Sequence, residues 1–143
     1  SNADMLRFVR GMIALRKRHP SIMRRRFLTG ISTGENEMPD IRWYGLDKNE
    51  PRWDDSESHL LRFTLAAVND DETDLHVILN LSENALNPVL PDIPGKNWYR
   101  CVDTALPSPN DVTAPEHAPL IRGTYYATCP RSVVVLETRQ AVS

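Results

Sequence analysis

Apolar residues recur at helical spacing near the start of the chain. From Asp4 to Arg18 they return every three or four positions, while basic residues occupy the opposite side. This pattern predicts an amphipathic α-helix in which Asp4 is the N-cap and Pro20 ends the helix by disfavouring α geometry at His19. The apolar positions of the predicted helix are Met5, Leu6, Phe8, Val9, Met12, Ile13 and Leu15.

The period changes to two in the second part of the chain, which predicts β-strands. The clearest alternation lies in residues 59–68 and 75–81, and the turn composition of residues 69–74 predicts that these two strands form a hairpin. The polar residues that alternate with the apolar ones, and are therefore predicted to face outward, are Arg62, Thr64, His76 and Asn80. Further strands are predicted at 86–90, 98–103, 124–128 and 132–136.

Short strands separated by proline-rich turns are typical of an antiparallel sandwich rather than of βαβ units. The predicted fold class is therefore mainly β: an antiparallel β-sandwich preceded by one N-terminal amphipathic α-helix. Residues 1–3 resemble the remnant of a cleaved tag and are left out of the fold prediction. The polar residues 31–39 are predicted to form a flexible loop between a helical segment, 4–30, and a sandwich domain, 40–143.

The composition is that of one globular domain, with 143 residues of which 41% are apolar and 25% charged. No apolar run approaches the roughly 20 residues that a membrane helix needs, and no secretory leader pattern is present. We therefore expect a cytoplasmic chain with no membrane partner. Cys101 and Cys129 lack a CxxC spacing and are predicted to be small buried apolar residues rather than a disulfide.

Charge is distributed unevenly along the chain. Residues 1–26 hold eight Lys/Arg and one acidic residue, and the remainder holds nine and eighteen, so the two parts carry +7 and −9. A basic cluster can neutralise phosphates, but cations near a helix C-terminus are also stabilised by the helix dipole. Phe8 and Phe27 are the only aromatic residues among or next to these basic residues, which therefore provide no platform for base stacking. Nucleic acid is not an expected partner.

Candidate catalytic and metal-binding residues lack the spacing that such sites need. The carboxylates that could form a glycosidase pair lie in polar, turn-like segments, which favours solvated loops. Two histidines have ordinary surface explanations, and no HxH or HxxxH pair, GxSxG elbow or glycine-rich phosphate loop occurs. We predict no catalytic residue, no metal and no cofactor. The residues concerned are Asp54, Asp55, Glu57, Asp70, Asp71, Glu72 and Asp74, with His19 and His76 as the two histidines.

The aromatic residues leave two interpretations open. Aromatic rings pack on the apolar faces of sugars, so Trp43, Tyr44 and Trp53 could form a platform that binds α-glucan. Large rings also dominate the cores and interfaces of small β domains, and core or interface packing is the competing interpretation for Trp43, Trp53 and Trp98.

Several segments carry a resemblance to a known enzyme family over nearly the whole chain. They are LRFVRGMIALRKRHP (6–20), MRRRFLTG (23–30), DIRWYG (40–45), VILNLS (77–82), WYR (98–100), VDTA (102–105) and PRSVVVL (130–136), together with Trp53. In this order they resemble bacterial glycogen debranching enzymes of the isoamylase type, which belong to glycoside hydrolase family 13 of the α-amylase superfamily.

This resemblance implies the last helix of a catalytic (β/α)₈ barrel followed by a C-terminal antiparallel sandwich. It implies a parent that hydrolyses α-1,6-glucosidic branches, with every catalytic carboxylate upstream of this chain and the domain supporting the barrel. An α-glucan-binding module is the alternative role. In the isolated chain we expect the helix to pair with a second copy or to fold onto its own sheet. The predicted interface with the barrel is Met5, Phe8, Val9, Met12 and Leu15.

Overall fold

The computed structural model describes residues 2–19, 41–44, 59–67 and 73–140. Within these residues one α-helix precedes five strands, which form a single antiparallel sheet in the order β1-β2-β3-β5-β4. The mainly β, antiparallel fold with an N-terminal helix is confirmed. The elements are α1 Asn2–Arg18, β1 Ile41–Tyr44, β2 Leu60–Leu65, β3 Leu75–Asn80, β4 Lys96–Asp103 and β5 Ser132–Gln140, with a 3₁₀ turn at Pro115–His117 between β4 and β5.

Helix α1 ends where the sequence predicts but begins earlier. Its last residue is Arg18, two positions before Pro20, and the basic last turn is favourably placed against the helix dipole. The helix already includes Asn2, so the prediction that Asp4 is the N-cap is wrong. The helix thus starts before Met5, the first large apolar residue, and includes Ala3, an amino acid with the highest intrinsic helix propensity.

The predicted hairpin is present as β2 and β3. These strands pair antiparallel over their whole length, from Leu60 opposite Asn80 to Leu65 opposite Leu75. Strand β1 adds to the outer side of β2, and β5 adds to β3. The loop predicted at residues 31–39 lies outside the described residues.

The sheet face predicted to meet solvent is instead buried. Arg62, Thr64, His76 and Asn80 are each 0% exposed, so the outward, surface position predicted for His76 is wrong. Their polar atoms are bonded: Thr64 Oγ1 lies 2.9 Å from His76 Nδ1, and Asn80 Nδ2 donates to the carbonyl oxygen of Cys129 at 3.0 Å. Buried polar groups of this kind are tolerated only when such partners exist.

A second layer covers this face of the sheet. Its two segments correspond to the strands predicted at 86–90 and 124–128, and they pair through bridges between Leu86 and Thr128 and between Val89 and Tyr125. Bridges of single residues replace the longer strands that the sequence predicts. The core between the sheet and this layer contains Leu60, Ile78, Leu90, Trp98, Tyr126, Val134 and Leu136.

Helix α1 packs on the opposite face of the sheet. A second core lies there, formed by Leu15, Leu65, Leu75, Cys101, Val102 and Val135. Both cysteines are free thiols; Cys101 is buried as predicted, but Cys129 is exposed, so the prediction for Cys129 is wrong. Cys101 lies at a register shift between β4 and β5, where Arg100 and Val102 keep the pairing on either side.

Candidate docking face of the N-terminal helix

One face of α1 is held against the sheet. Leu15 is 4% exposed and belongs to the core, and Phe8 and Met12 are partly buried against the same core. These three residues, the inward face of α1, recur at the spacings of four and three that place side chains on one side of a helix. The expectation that the helix folds onto its own sheet is confirmed for this face.

A second face of α1 is apolar and points away from the sheet. We call it the outward face: Met5, Leu6, Val9 and Ile13, with exposed fractions of 64%, 51%, 43% and 47%. Scattered single apolar residues are normal on a protein surface, whereas a contiguous apolar patch marks an interaction site. The predicted barrel interface is thus divided, with Met5 and Val9 outward and Phe8, Met12 and Leu15 inward.

The middle of α1 approaches the loop after β4 very closely. Gly11 lies against Val112, and a Cβ atom added at residue 11 would be 2.7 Å from Val112 Cγ2. One turn earlier, the Arg7 guanidinium forms an ion pair with Asp111 and donates from Nε to Ser108 Oγ at 3.2 Å. The absence of a side chain at Gly11 therefore allows the helix backbone to reach this loop.

The C-terminal end of α1 is joined to β5 by a buried carboxylate. Glu137 Oε1 accepts from Arg18 Nη2 at 2.7 Å, and its Oε2 lies 2.7 Å from His19 Nε2. Burial would raise the pKa of Glu137, but the hydrogen bonds from His19 and Arg18 and the Arg18 charge outweigh it and hold this pKa well below 4.5. His19 is 1% exposed, so the surface position predicted for it is wrong.

Sequence reasoning missed Glu137. It lies in a strand whose only other charged residue is Arg139, and its partners Arg18 and His19 are 119 and 118 positions away. The one available signal is a charged residue within a strand, because such a residue is buried only when it is paired.

The predicted aromatic platform is not assembled in one place by the described residues. The Trp43 side chain is half-buried and its ring centroid is 5.0 Å from that of Phe63. Tyr44 is only 3% exposed. The guanidinium carbon of Arg62 lies over its ring, 5.2 Å from the ring centroid. Tyr44 is therefore buried rather than exposed, contrary to that part of the prediction. Trp53 lies outside the described residues, and glucan binding stays a prediction.

The buried carboxylates in the described ranges serve the fold. Asp74, predicted to lie in a solvated loop, is buried and bonded to Lys96 Nζ at 3.0 Å, so that prediction is wrong. Asp103 accepts from the Tyr126 hydroxyl at 2.5 Å. No group of three His, Cys, Asp or Glu in the described part of the chain could hold a metal ion. The helix seen in these ranges is too short and too polar to cross a membrane.

Comparison with known proteins places this sheet in a family. A family model described as "Isoamylase 1-3, C-terminal" matches residues 42–135, from β1 into β5. An isoamylase of Flavobacterium sp. is 30% identical over 94% of this chain and 18% of its own length. Isoamylase 3, chloroplastic, of Oryza sativa subsp. japonica is 33% identical over 93% of this chain and 15% of its own length. Isoamylase 2, chloroplastic, of Arabidopsis thaliana is 29% identical over 94% of this chain and 17% of its own length.

The chain spans less than a fifth of the length of these relatives. Helix α1 precedes the residues that the family model matches, but the relatives align over most of the chain. The five-stranded antiparallel sheet and the extent of the match together give one assignment: the chain belongs to the family of isoamylase C-terminal domains.

Proposed function

We propose that this chain is the non-catalytic C-terminal domain of an isoamylase-type debranching enzyme and that it stabilises the catalytic barrel of the same parent. The parent would be a cytoplasmic glycoside hydrolase of the α-amylase superfamily that cleaves α-1,6-glucosidic branches of glycogen. The observation that carries the proposal is the exposed outward face of α1 on a domain that covers less than a fifth of its relatives.

Burial of the outward face supplies the stabilising free energy. Met5, Leu6, Val9 and Ile13 keep between 43% and 64% of their surface exposed. Removing apolar surface from water contributes roughly 25 cal/mol per Å². A neighbouring domain that covers this face would therefore gain stability from each of the four side chains.

The state of the buried carboxylates supports a structural role. Asp74 is bonded to Lys96, Asp103 to Tyr126 and Glu137 to Arg18. A general acid needs a raised pKa and access to substrate, whereas Glu137 has a lowered pKa and is buried against Arg18, His19 and Thr73. These contacts stabilise the domain and present no acid–base pair to a sugar.

Substitutions on α1 test the proposal in the parent enzyme. Ile13→Asn alters the outward face, and Ala14→Asn makes a matched change at an exposed neighbouring position. We expect Ile13→Asn to lower the stability of the parent by about 2 kcal/mol more than Ala14→Asn does, because a buried isoleucine is lost. In the 143-residue chain alone, Ile13→Asn should cost no more than Ala14→Asn.

Thermal unfolding and the half-life of debranching activity give the two readouts. Equal effects of Ile13→Asn and Ala14→Asn in the parent would contradict a role for the outward face.

Titration of the 143-residue chain with maltoheptaose, followed by tryptophan fluorescence, tests the alternative of an α-glucan-binding module. A saturable change that is lost in Trp43→Ala would assign substrate recruitment to the domain instead.

A further inference from the structure

Helix α1 has more apolar surface than the sheet covers. At about 100° per residue, its large apolar side chains span roughly half of the helix circumference. Three of them form the inward face, and four form the outward face. Burial of apolar surface therefore does not by itself select the observed rotation of α1, since turning the helix would bury the larger set.

The contacts that do distinguish the two faces lie along one line of α1. Arg7, Gly11 and Arg18 are spaced by four and seven positions, which places them on one side of a helix. Each contacts a residue of the β domain. The partners, in the same order, are Asp111, Val112 and Glu137.

Of these three partners, Glu137 is the one whose separation from α1 would cost the most free energy. Its side chain is 9% exposed, and it lies between Arg18, His19 and the hydroxyl of Thr73, whose Oγ1 is 3.3 Å away. A buried carboxylate that loses its partners is far more costly than one that can turn to water. Rotating α1 to bring Val9 and Ile13 onto the sheet would carry Arg18 away from Glu137.

We propose that Glu137 sets the rotation of α1 about its axis, so that the inward face meets the sheet and the outward face stays exposed. That this exposed face then meets the catalytic barrel rests on the function proposed above. The charge selects between two apolar faces that hydrophobic burial leaves nearly equivalent. Glu137 is a positioning residue in this arrangement. Its effect on the outward face is exerted through Arg18 and His19.

Cysteine labelling of the 143-residue chain measures the rotation directly. In a Cys129→Ser background, Leu15→Cys reports on the inward face and Ile13→Cys on the outward face, while Cys101 stays buried. With Glu137 intact we expect fast modification at residue 13 and slow modification at residue 15. Glu137→Leu should lower the first rate and raise the second, changing their ratio at least tenfold.

Glu83→Leu is the matched control, because Glu83 also pairs with an arginine, Arg131, but the pair is exposed. It should leave the ratio within twofold of its starting value. An unchanged ratio in Glu137→Leu would overturn the proposal. Rapid modification at both positions would also overturn it, since Glu137 would then attach the helix without choosing its rotation.

A milder variant keeps the test decisive if Glu137→Leu loses its folded circular dichroism spectrum. Glu137→Gln removes the charge but keeps an oxygen that accepts from Arg18. It should change the ratio in the same direction by at least threefold, with Glu83→Gln as its control. Equal ratios in these two variants would overturn the proposal.

Discussion

Gly11 and Val112 are in such close contact that no side chain fits between them. A Cβ atom at residue 11 would lie 2.7 Å from Cγ2 and 2.9 Å from Cγ1 of Val112. Glycine within a helix costs about 1 kcal/mol relative to alanine. Gly11 therefore lowers helix propensity but allows α1 to approach the loop after β4 closely.

Gly11→Ala should destabilise the chain although it improves helix propensity. The β-branched Val112 has few rotamers with which to yield, and overpacking of this kind costs about 1–3 kcal/mol. Urea unfolding measures the loss. The control is the same substitution in a Val112→Ala background, in which the two methyl groups that an alanine at position 11 would meet are absent. In that background Gly11→Ala should stabilise the chain. A cost that is equal in both backgrounds would contradict steric exclusion by Val112.

Tyr126→Phe should lower the free energy of unfolding by about 1–3 kcal/mol. The substitution removes the 2.5 Å hydrogen bond to Asp103, a residue that is 3% exposed and whose carboxylate would still accept from the Ala105 backbone N–H. Tyr125→Phe is the matched control, since Tyr125 is 54% exposed and should tolerate the change.

Tyr126 should also make stability fall at alkaline pH. Burial, together with the hydrogen bond to Asp103, raises the pKa of Tyr126 above its ordinary value of 10. A raised pKa gives stability that is complete below pH 10 and is lost as the pH rises above it. The wild-type chain should therefore lose stability more steeply above pH 10 than Tyr126→Phe does. Parallel curves would contradict this prediction.

His76 should make the chain more stable at pH 7 than at pH 5. Burial, with the nearby Arg62 charge, lowers the pKa of His76 to about 3 in the folded chain. Between pH 6.5 and 3 this histidine is therefore protonated in the unfolded chain but neutral in the folded chain, and the folded state loses stability. At pH 5 this costs about 2 kcal/mol. Calorimetry at both pH values should show the loss in the wild type and a smaller one in His76→Gln. His59→Gln, at an exposed position, should behave as the wild type.

Glu137 should contribute to acid sensitivity below pH 4.5. Its pKa is lowered in the folded chain, so its stabilisation is present above pH 4.5 and is lost as the pH falls towards the folded-state value. Glu137→Gln should cost about 3 kcal/mol at pH 7, because it disrupts a buried ion pair. Its stability should then change less with acid than that of Glu83→Gln. An equal acid dependence in the two variants would contradict this assignment.

Local patterns predicted the elements well, but predicted one face of the sheet incorrectly. Alternation located β2 and β3 and their pairing, because a hairpin is formed by neighbouring residues. The same alternation placed His76 and Asn80 at the surface. Both are buried, because the Tyr44 and Trp98 rings pack on His76 and because Asn80 is bonded to Thr128 and Cys129. A period of two in the sequence shows which positions are polar, but it does not show which segment covers that face of the sheet.

The candidate site was predicted in part. The apolar positions of α1 were all found from their spacing, yet their division into an inward set around Leu15 and an outward set around Ile13 was not. The residues that α1 meets on the β domain, among them Glu137 and Val112, lie about 100 or more positions away in sequence. Periodicity shows that a helix is amphipathic, but a helix that is apolar over half its circumference has no single preferred face.

The sequence by itself determined the helix, the hairpin, the β-rich fold class and the family, since each is carried by local spacing or by motifs read in order. Only the tertiary structure decided which polar residues are buried and which face of α1 is exposed. The physical reason is that burial and ion pairing depend on residues brought together by folding. Arg18 and Glu137, 119 positions apart, lie 2.7 Å from each other only once α1 has packed on β5.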